Sequence, residues 1–142
     1  MDIPNLWGDF KDLEVNTPNQ ILEQQAKFLP KLTGDIVYAE IIPLELPEQF
    51  EISSDFDNDL SFKFVLKSKF MDNYQFEMFK YSHDIIIYPT TILLDRETKE
   101  ELGLSDKFEV VGSEQEFIDF LSKVFKTERI KRVIGALMKL SK

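Results

Sequence analysis

A single histidine and a set of tyrosines are the side chains in this sequence best suited to proton transfer or ligand binding. His83 stands between Ser82 and Asp84 at a predicted turn, and an imidazole transfers protons well near neutral pH. Adjacent residues diverge in a strand or a turn, so this tripeptide alone does not indicate a catalytic triad. Hydroxyl groups around the histidine would suit a ligand pocket, whereas aromatic packing in a phenylalanine-rich core is the competing interpretation. The candidate ligand site comprises Tyr74, Tyr81, His83 and Tyr88.

A run of alternating acidic residues is similar to the start of a calcium-binding loop. Asp55, Asp57 and Asp59 have the spacing with which an EF-hand presents its first carboxylates to Ca²⁺. Such a loop also needs a glycine and a bidentate glutamate further on, and this sequence has Leu60 and Leu66 at those positions. We therefore predict an acidic loop that leads into a strand, and no metal site.

Common catalytic and cofactor motifs are missing from the sequence. The chain has no cysteine, which removes disulfides, thiolate nucleophiles and cysteine-ligated metal sites. Glycine-rich phosphate loops, GxSxG and HExxH are also missing. The sequence therefore predicts no cofactor and favours a protein that is not an enzyme.

Charge is distributed unevenly along the 142-residue chain. The net charge of −9 argues against nucleic acid as the main partner, because phosphate binding needs a surplus of lysine and arginine. Residues 1–60 hold 13 acidic and 3 basic residues, whereas residues 123–142 hold 7 basic residues and 1 acidic residue. Such asymmetry can steer a charged partner, and a solvated charged face is the alternative. The candidate partner-binding residues are Glu45, Glu48, Glu51, Asp55, Asp57, Asp59, Arg129 and Arg132.

The first part of the chain is predicted to contain an arm, a helix and a strand. Apolar residues within 1–16 recur at the spacing of one helix face, so this segment is expected to form a short helical arm packed on the domain. A Thr-Pro-x-Gln start signal predicts a helix over 18–29. A run of β-branched residues predicts a strand over 36–44. Residues 45–59 lack a clear period and are predicted as a loop with at most a short helical turn.

Further strands follow the acidic segment. Alternating apolar and polar residues predict a strand over 60–67 and a hairpin partner over 74–79. An apolar run predicts a third strand over 85–94, in which Pro89 implies an edge position or a bulge. After a polar connection, a short strand is predicted over 108–111.

Two amphipathic helices are predicted after the last strand. Ser113 and Thr127 supply the N-terminal caps, and the second helix lies in the basic segment 123–142. Helices at both ends of a run of strands indicate an α+β fold, with an antiparallel four- to five-stranded meander sheet packed by an N-terminal helix and two C-terminal helices. The length suits a single domain over residues 1–142.

The second face of the predicted sheet is open to two interpretations. Strict alternation places Val65, Phe79 and Tyr81 on the face opposite the helices. These side chains either form an exposed apolar patch or lie beneath the N-terminal arm, covered through Trp7 and Phe10. We favour the covered arrangement.

Several short motifs together resemble a family of short bacterial proteins of unknown function. The motifs are Thr17-Pro18-x-x-Ile21-Leu22-x-Gln24-Gln25, Thr33-Gly34-x-x-Val37-x-Ala39-Glu40, Asp72-Asn73-Tyr74-x-Phe76-Glu77-x-Phe79 and Tyr88-Pro89. They span most of the chain between residues 17 and 91. The resemblance implies a bacterial origin and a standalone domain, and it brings no activity, cofactor or functional residue to this chain.

These observations favour a protein-protein interaction domain with an acidic face, of which an immunity or antitoxin protein is one version. The alternative is a small-ligand-binding protein or an enzyme with a pocket around His83. A third hypothesis is a homo-oligomer in which the acidic part of one subunit meets the basic C-terminal helix of the next. No segment approaches the roughly 20 apolar residues of a membrane span, and no signal peptide is evident, so a cytoplasmic location is expected.

Overall fold

One antiparallel sheet forms the centre of the computed structural model, which describes residues 2–53 and 60–141. Its strands lie side by side in chain order, and each strand pairs antiparallel with its neighbours. They are β1 (Val37–Pro43), β2 (Leu60–Ser68), β3 (Gln75–His83), β4 (Thr90–Leu94) and β5 (Glu109–Val111). This five-stranded meander confirms the predicted α+β fold class.

Helices precede the sheet, interrupt it and follow it. They are α1 (Pro18–Ala26), α2 (Phe28–Leu32), α3 (Leu46–Ser53), α4 (Arg96–Leu102), α5 (Glu114–Phe125) and α6 (Glu128–Leu140). The side chains of Thr17 and Gln20 each accept a hydrogen bond from the other residue's backbone N–H, which forms the capping box that the sequence predicts. α1 ends three residues earlier than predicted, and Pro30 lies in the first turn of α2, where its missing N–H is not needed. Within the described residues, no helix is both long and apolar enough to cross a bilayer.

The main hydrophobic core lies on one face of the sheet, beneath α1, α5 and α6. Leu22, Phe117 and Ile130 are buried side chains that these helices contribute. Phe64 and Leu66 of β2 are buried against them. Since full burial of such a side chain is worth about 1.5–3 kcal/mol, this face supplies much of the driving force for folding.

A β-bulge changes which residues of β3 face this core. Phe79 lies opposite Phe64, whereas the next pair joins Val65 to Glu77, so one residue of β3 is left over. The alternation of β3 therefore shifts by one position at the bulge, and Phe79 and Tyr81 turn into the helix-covered core. The expectation that both share the outer face with Val65 is wrong for this reason.

α3 covers the second face of the sheet. The segment predicted as a loop forms this helix, and its Ile52 is fully buried. α3 contacts β2, β3 and β4. The N-terminal arm does not cover the sheet, because Trp7 and Phe10 remain 81% and 76% exposed. The favoured prediction of an arm packed on the second face is therefore wrong.

β4 begins at Thr90, five residues after the start of the predicted strand. The Asp84 side chain accepts a hydrogen bond from the Ile86 N–H, and the Asp84 carbonyl accepts one from the Ile87 N–H. Ile87 has a φ of 79°, and the Tyr88–Pro89 peptide bond is cis. The apolar residues before Thr90 therefore form a turn, which leaves Ile85 and Ile86 on the surface.

The polar segment predicted as a connection forms α4. The Asp95 side chain caps its N-terminus by accepting a hydrogen bond from the Thr98 N–H, and Gly103 ends it in the left-handed conformation with a φ of 72°. Nearly all residues between these caps are polar, so the segment lacks the apolar stripe from which a helix is usually predicted.

Candidate functional site

Three of the four predicted ligand residues lie near the end of the sheet that adjoins the start of α1. The Tyr81 hydroxyl donates to the Asn19 side-chain oxygen at 2.5 Å, and the Tyr88 hydroxyl donates to the Asn16 carbonyl at 3.0 Å. Nδ1 of His83 lies 2.8 Å from the carbonyl oxygen of the next residue. Tyr81 and His83 are buried. Each of these polar groups therefore already has a partner within the chain.

Tyr74 lies apart from this group. It precedes β3, whereas His83 ends β3, so the full length of the strand separates the two residues. In the pairing with β2, Gln75 lies opposite Lys67, and His83 lies opposite Leu60. The structure thus brings Tyr81, His83 and Tyr88 to one end of the sheet and places Tyr74 at the other.

Burial makes the two inward-facing phenols harder to ionise. Desolvation raises the pKa of Tyr81 well above its ordinary value, and the negative charge of Glu23 adds to the effect. Desolvation, followed by the charge of Glu114, raises the pKa of Tyr88 to about 12. Both hydroxyls therefore stay protonated near neutral pH and serve as hydrogen-bond donors.

Replacement of Tyr81 by phenylalanine is expected to reduce the loss of stability at alkaline pH. A phenol whose pKa is raised by folding stabilises the native state below the unfolded pKa of about 10 and loses that contribution as the pH rises further. The free energy of unfolding, measured in urea at pH 8 and at pH 11, should fall less in Tyr81→Phe than in the wild type. At pH 8 the free energy of unfolding of the variant should also be about 1 kcal/mol lower than that of the wild type, because the hydrogen bond to Asn19 is lost.

Tyr74→Phe is the control for this experiment, because Tyr74 is exposed. Its alkaline loss of stability should equal that of the wild type. If the free energy of unfolding of Tyr81→Phe falls between pH 8 and pH 11 by as much as that of the wild type, the prediction is wrong.

The described acidic residues of segment 45–59 are partly neutralised within the fold. Glu48 binds Lys63 at 3.0 Å, and Glu51 binds Lys80 at 3.2 Å, whereas Glu45 is exposed. Desolvation alone would lower the pKa of Lys80, but its hydrogen bonds and ion pairs with Glu77 and Glu51 raise the pKa above its ordinary value. Two acids of α3 are therefore paired with lysines of the sheet that this helix covers.

The remaining acids of the predicted partner-binding set, Asp55, Asp57 and Asp59, lie outside the described residues. These three residues form the acidic run that is similar to the start of an EF-hand loop. In the part of the chain that the structure describes, no group of three histidine, aspartate or glutamate side chains could hold a metal ion.

Arg129 is held within the fold, whereas Arg132 is exposed. The Arg129 guanidinium donates to Asp95 at 2.6 Å and to Glu97 at 2.7 Å, and it lies 5.2 Å from the ring centre of Phe76. These contacts join α6 to α4 and β3. Arg132 lines a cavity of about 200 Å³ together with Arg129 and Glu97. A partner that binds Arg129 would have to compete with its internal ion pairs.

An apolar cavity of about 190 Å³ opens between α2 and α6 over the core face of the sheet. We call it the apolar groove; its walls include Phe28 and Leu32 of α2 and Ile130 and Ile134 of α6, and its floor includes Phe64 and Leu66 of β2. Gln25 supplies the only polar side chain among the described residues that line it. Phe28 and Leu32 are 54% and 76% exposed. A second cavity, of about 210 Å³, shares Ala26, Ala39 and Phe64 with the groove and continues toward β1.

A second apolar surface lies on the N-terminal arm, which we define as residues 2–16. Five of its large apolar side chains are 70–82% exposed, namely Ile3, Leu6, Trp7, Phe10 and Leu13. The Trp7 and Phe10 ring centres lie 6.3 Å apart. No helix forms within the arm, and its last residue, Asn16, is attached to the domain by two hydrogen bonds to Glu114.

Comparison of the chain with protein-family models, with curated proteins and with solved structures finds no match. The sequence interpretation missed the apolar groove, since its walls come from segments far apart in the chain. It did identify the apolar spacing of the arm but placed the arm on the sheet. The local sign of the groove is the apolar pair Phe28 and Leu32, which lie about one helical turn apart on α2 and stay exposed.

Proposed function

We propose that this chain is a non-enzymatic protein-interaction domain that binds its partner through the N-terminal arm. The observation that carries the proposal is the exposure of Trp7 and Phe10, together with three large aliphatic side chains, on one short segment. Contiguous exposed apolar surface of this kind usually marks an interaction site. Aromatic residues are also the side chains that most often dominate binding energy.

The spacing of the arm fits one recognised mode of binding. Apolar residues at positions 3, 6, 7, 10 and 13 would share one face if the arm became helical. A segment that folds on its partner in this way inserts its apolar face into an apolar groove. The arm also carries four acidic residues and one basic residue, which favours a partner whose groove is edged by positive charge.

The small-ligand alternative around His83 ranks second. The hydroxyls of Tyr81 and Tyr88 and Nδ1 of His83 are already engaged within the chain. A ligand at this site would have to displace those contacts.

The acidic segment 45–59 can add a second contact to the interaction. Glu45 is exposed there, while Glu48 and Glu51 are paired with lysines of the sheet. An immunity or antitoxin role is one specific form of this proposal, and a toxin gene beside the gene for this chain would support it.

Affinity capture with an arm variant tests the proposal. Tagged wild-type chain and tagged Trp7→Ser/Phe10→Ser chain are incubated with a lysate of the source organism to which an untagged copy of this chain has been added. Because aromatic anchors contribute most of the binding energy, we expect a stoichiometric partner with the wild type and at least a tenfold lower yield with the arm variant.

Ile85→Ser/Ile86→Ser is the matched control, because it removes two exposed apolar side chains from a different surface. This variant should capture the partner as well as the wild type does. Equal capture by the wild type and the arm variant would rule out the arm as the binding element.

A further inference from the structure

The domain itself carries a groove of the kind that the arm requires. We propose that the N-terminal arm of one copy of this chain docks in the apolar groove of a second copy. This inference rests on the proposed function and identifies its partner as the chain itself.

The groove has room for an aromatic anchor. An apolar protein cavity of about 150 Å³ accepts a benzene molecule, and the groove measures about 190 Å³. It therefore accommodates one ring of the size of Trp7 or Phe10. Phe28 and Leu32 would lose their exposure to water on docking, as would the apolar side chains of the arm. The gain is the burial of two exposed apolar surfaces against each other.

Charges around the groove complement those of the arm. Four exposed lysines each adjoin a lining residue in the chain, namely Lys27, Lys31, Lys126 and Lys131. Only Lys131 has an ion pair, to Glu128 at 3.8 Å, among the described residues. Besides Glu128, the acids near the groove are Glu23 and Glu40, which lie in its continuation toward β1, where Glu40 is paired with Lys67. An acidic arm therefore meets a positive edge on the α2 and α6 side.

The arm does not occupy the groove of its own copy, since Trp7 and Phe10 are 81% and 76% exposed. Asn16 is fixed by hydrogen bonds to Glu114 and from Tyr88, at the start of α1. The groove lies at the other end of α1, beside Ala26, roughly 14 Å away along a nine-residue helix. Docking within one copy would require the arm to double back along α1 from Asn16 toward Ala26, whereas docking in a second copy needs no such reversal.

Mutual exchange of arms produces a closed dimer. If the arm of each copy occupies the groove of the other, the two contacts are equivalent and related by a twofold axis. Both apolar surfaces of both copies are then covered, so no further copy is recruited. A dimer is therefore the expected end state.

Trp7 makes docking of the arm measurable, because it is the one tryptophan of the sequence. A groove variant, Phe28→Glu/Leu32→Glu, keeps Trp7 but presents two carboxylates in an apolar wall. An arm variant, Trp7→Ser/Phe10→Ser, has an intact groove and no tryptophan. All four positions are exposed in the isolated fold, so both variants should fold, which circular dichroism verifies.

The decisive measurement is a titration of the arm variant into the groove variant, followed by Trp7 emission. We expect a saturable blue shift and weaker quenching by acrylamide, because Trp7 of the groove variant enters the intact groove of the arm variant. The pure wild type should show the same shift with rising concentration. Sedimentation should show a dimer whose dissociation constant is at least about 100-fold smaller than that of either variant alone.

Ile85→Glu/Ile86→Glu is the control for added charge on an exposed apolar pair, and it should self-associate like the wild type.

Three results would overturn the inference. Trp7 emission could be blue-shifted in a monomer at every dilution, which means docking within one copy. Trp7 could stay exposed while the dye anilinonaphthalene sulfonate binds the wild type but not the groove variant, which would mean that the groove binds a small apolar ligand instead of the arm. Mixing could give no shift although capture of another protein depends on the arm, in which case the proposed function stands and only this inference fails.

Discussion

Replacement of Phe117 by alanine is expected to lower the free energy of unfolding by about 3–5 kcal/mol. Phe117 has no exposed surface, and it projects from α5 into the core, where its ring centre lies 6.5 Å from that of Tyr81. The substitution removes the buried ring and leaves a cavity, because the surrounding strands and helices can close only part of the space. Since small domains have a total stability of about 5–15 kcal/mol, the variant should still fold.

The neighbouring residue provides the control for this measurement. Ile118 is 40% exposed on the same helix, so Ile118→Ala should cost less than about 1 kcal/mol. Both variants are compared with the wild type by urea unfolding at pH 7. A cost of less than about 1 kcal/mol for Phe117→Ala would contradict the placement of α5 on the core face.

Replacement of Ile52 by alanine is expected to cost about 2–5 kcal/mol. Ile52 is a fully buried residue of α3, and this helix covers the second face of the sheet. Loss of its side chain removes an apolar anchor of α3, whereas the ion pairs to Lys63 and Lys80 remain. Ion pairs of this kind contribute little on their own, so hydrogen exchange of the α3 amides should rise as well.

Leu46 is the matched control, because it belongs to the same helix and is exposed. Leu46→Ala should change the free energy of unfolding by less than about 0.5 kcal/mol. If Ile52→Ala behaves like Leu46→Ala in urea unfolding, then α3 does not cover the sheet as described.

The fold class was predictable because its signals are local. The caps at Thr17, Ser113 and Thr127 define helix starts, and alternation defines β2. The β-bulge was not predictable, because it depends on how β3 pairs with β2 and not on any residue of β3 alone. One extra residue was enough to move Phe79 and Tyr81 to the opposite face.

The candidate site was predictable only in part. The apolar spacing of the arm is visible in the sequence, but whether the arm packs on its own domain depends on what else covers the sheet. α3 occupies that surface, since Ile52 gives this segment a buried apolar anchor. The apolar groove combines residues from α2, β2 and α6, so no local pattern could reveal it. The group formed by Tyr81, His83 and Tyr88 was identified, but not the internal partners of its polar atoms.

Docking of the arm in the groove would cover two exposed apolar surfaces of the domain, the arm and the groove, with one interaction. A domain that exposes five large apolar side chains on its arm and an apolar groove between α2 and α6 presents two surfaces that water solvates poorly. Electrostatic attraction between the acidic arm and the lysines near the groove would accelerate the encounter of two copies. High salt would screen this attraction and weaken the interaction. The interaction is therefore expected to depend on both apolar burial and ionic strength.

Hydrogen exchange of the arm amides tests this central claim most directly. In dilute protein the amides of residues 3–13 should exchange at rates typical of unprotected peptides, because no helix forms there. As the protein concentration rises, or when the captured partner is added, these amides should become protected. For self-association, protection should also increase in residues 25–32 and 130–134, which line the groove. Arm amides that remain unprotected at every concentration, with and without the partner, would contradict the account.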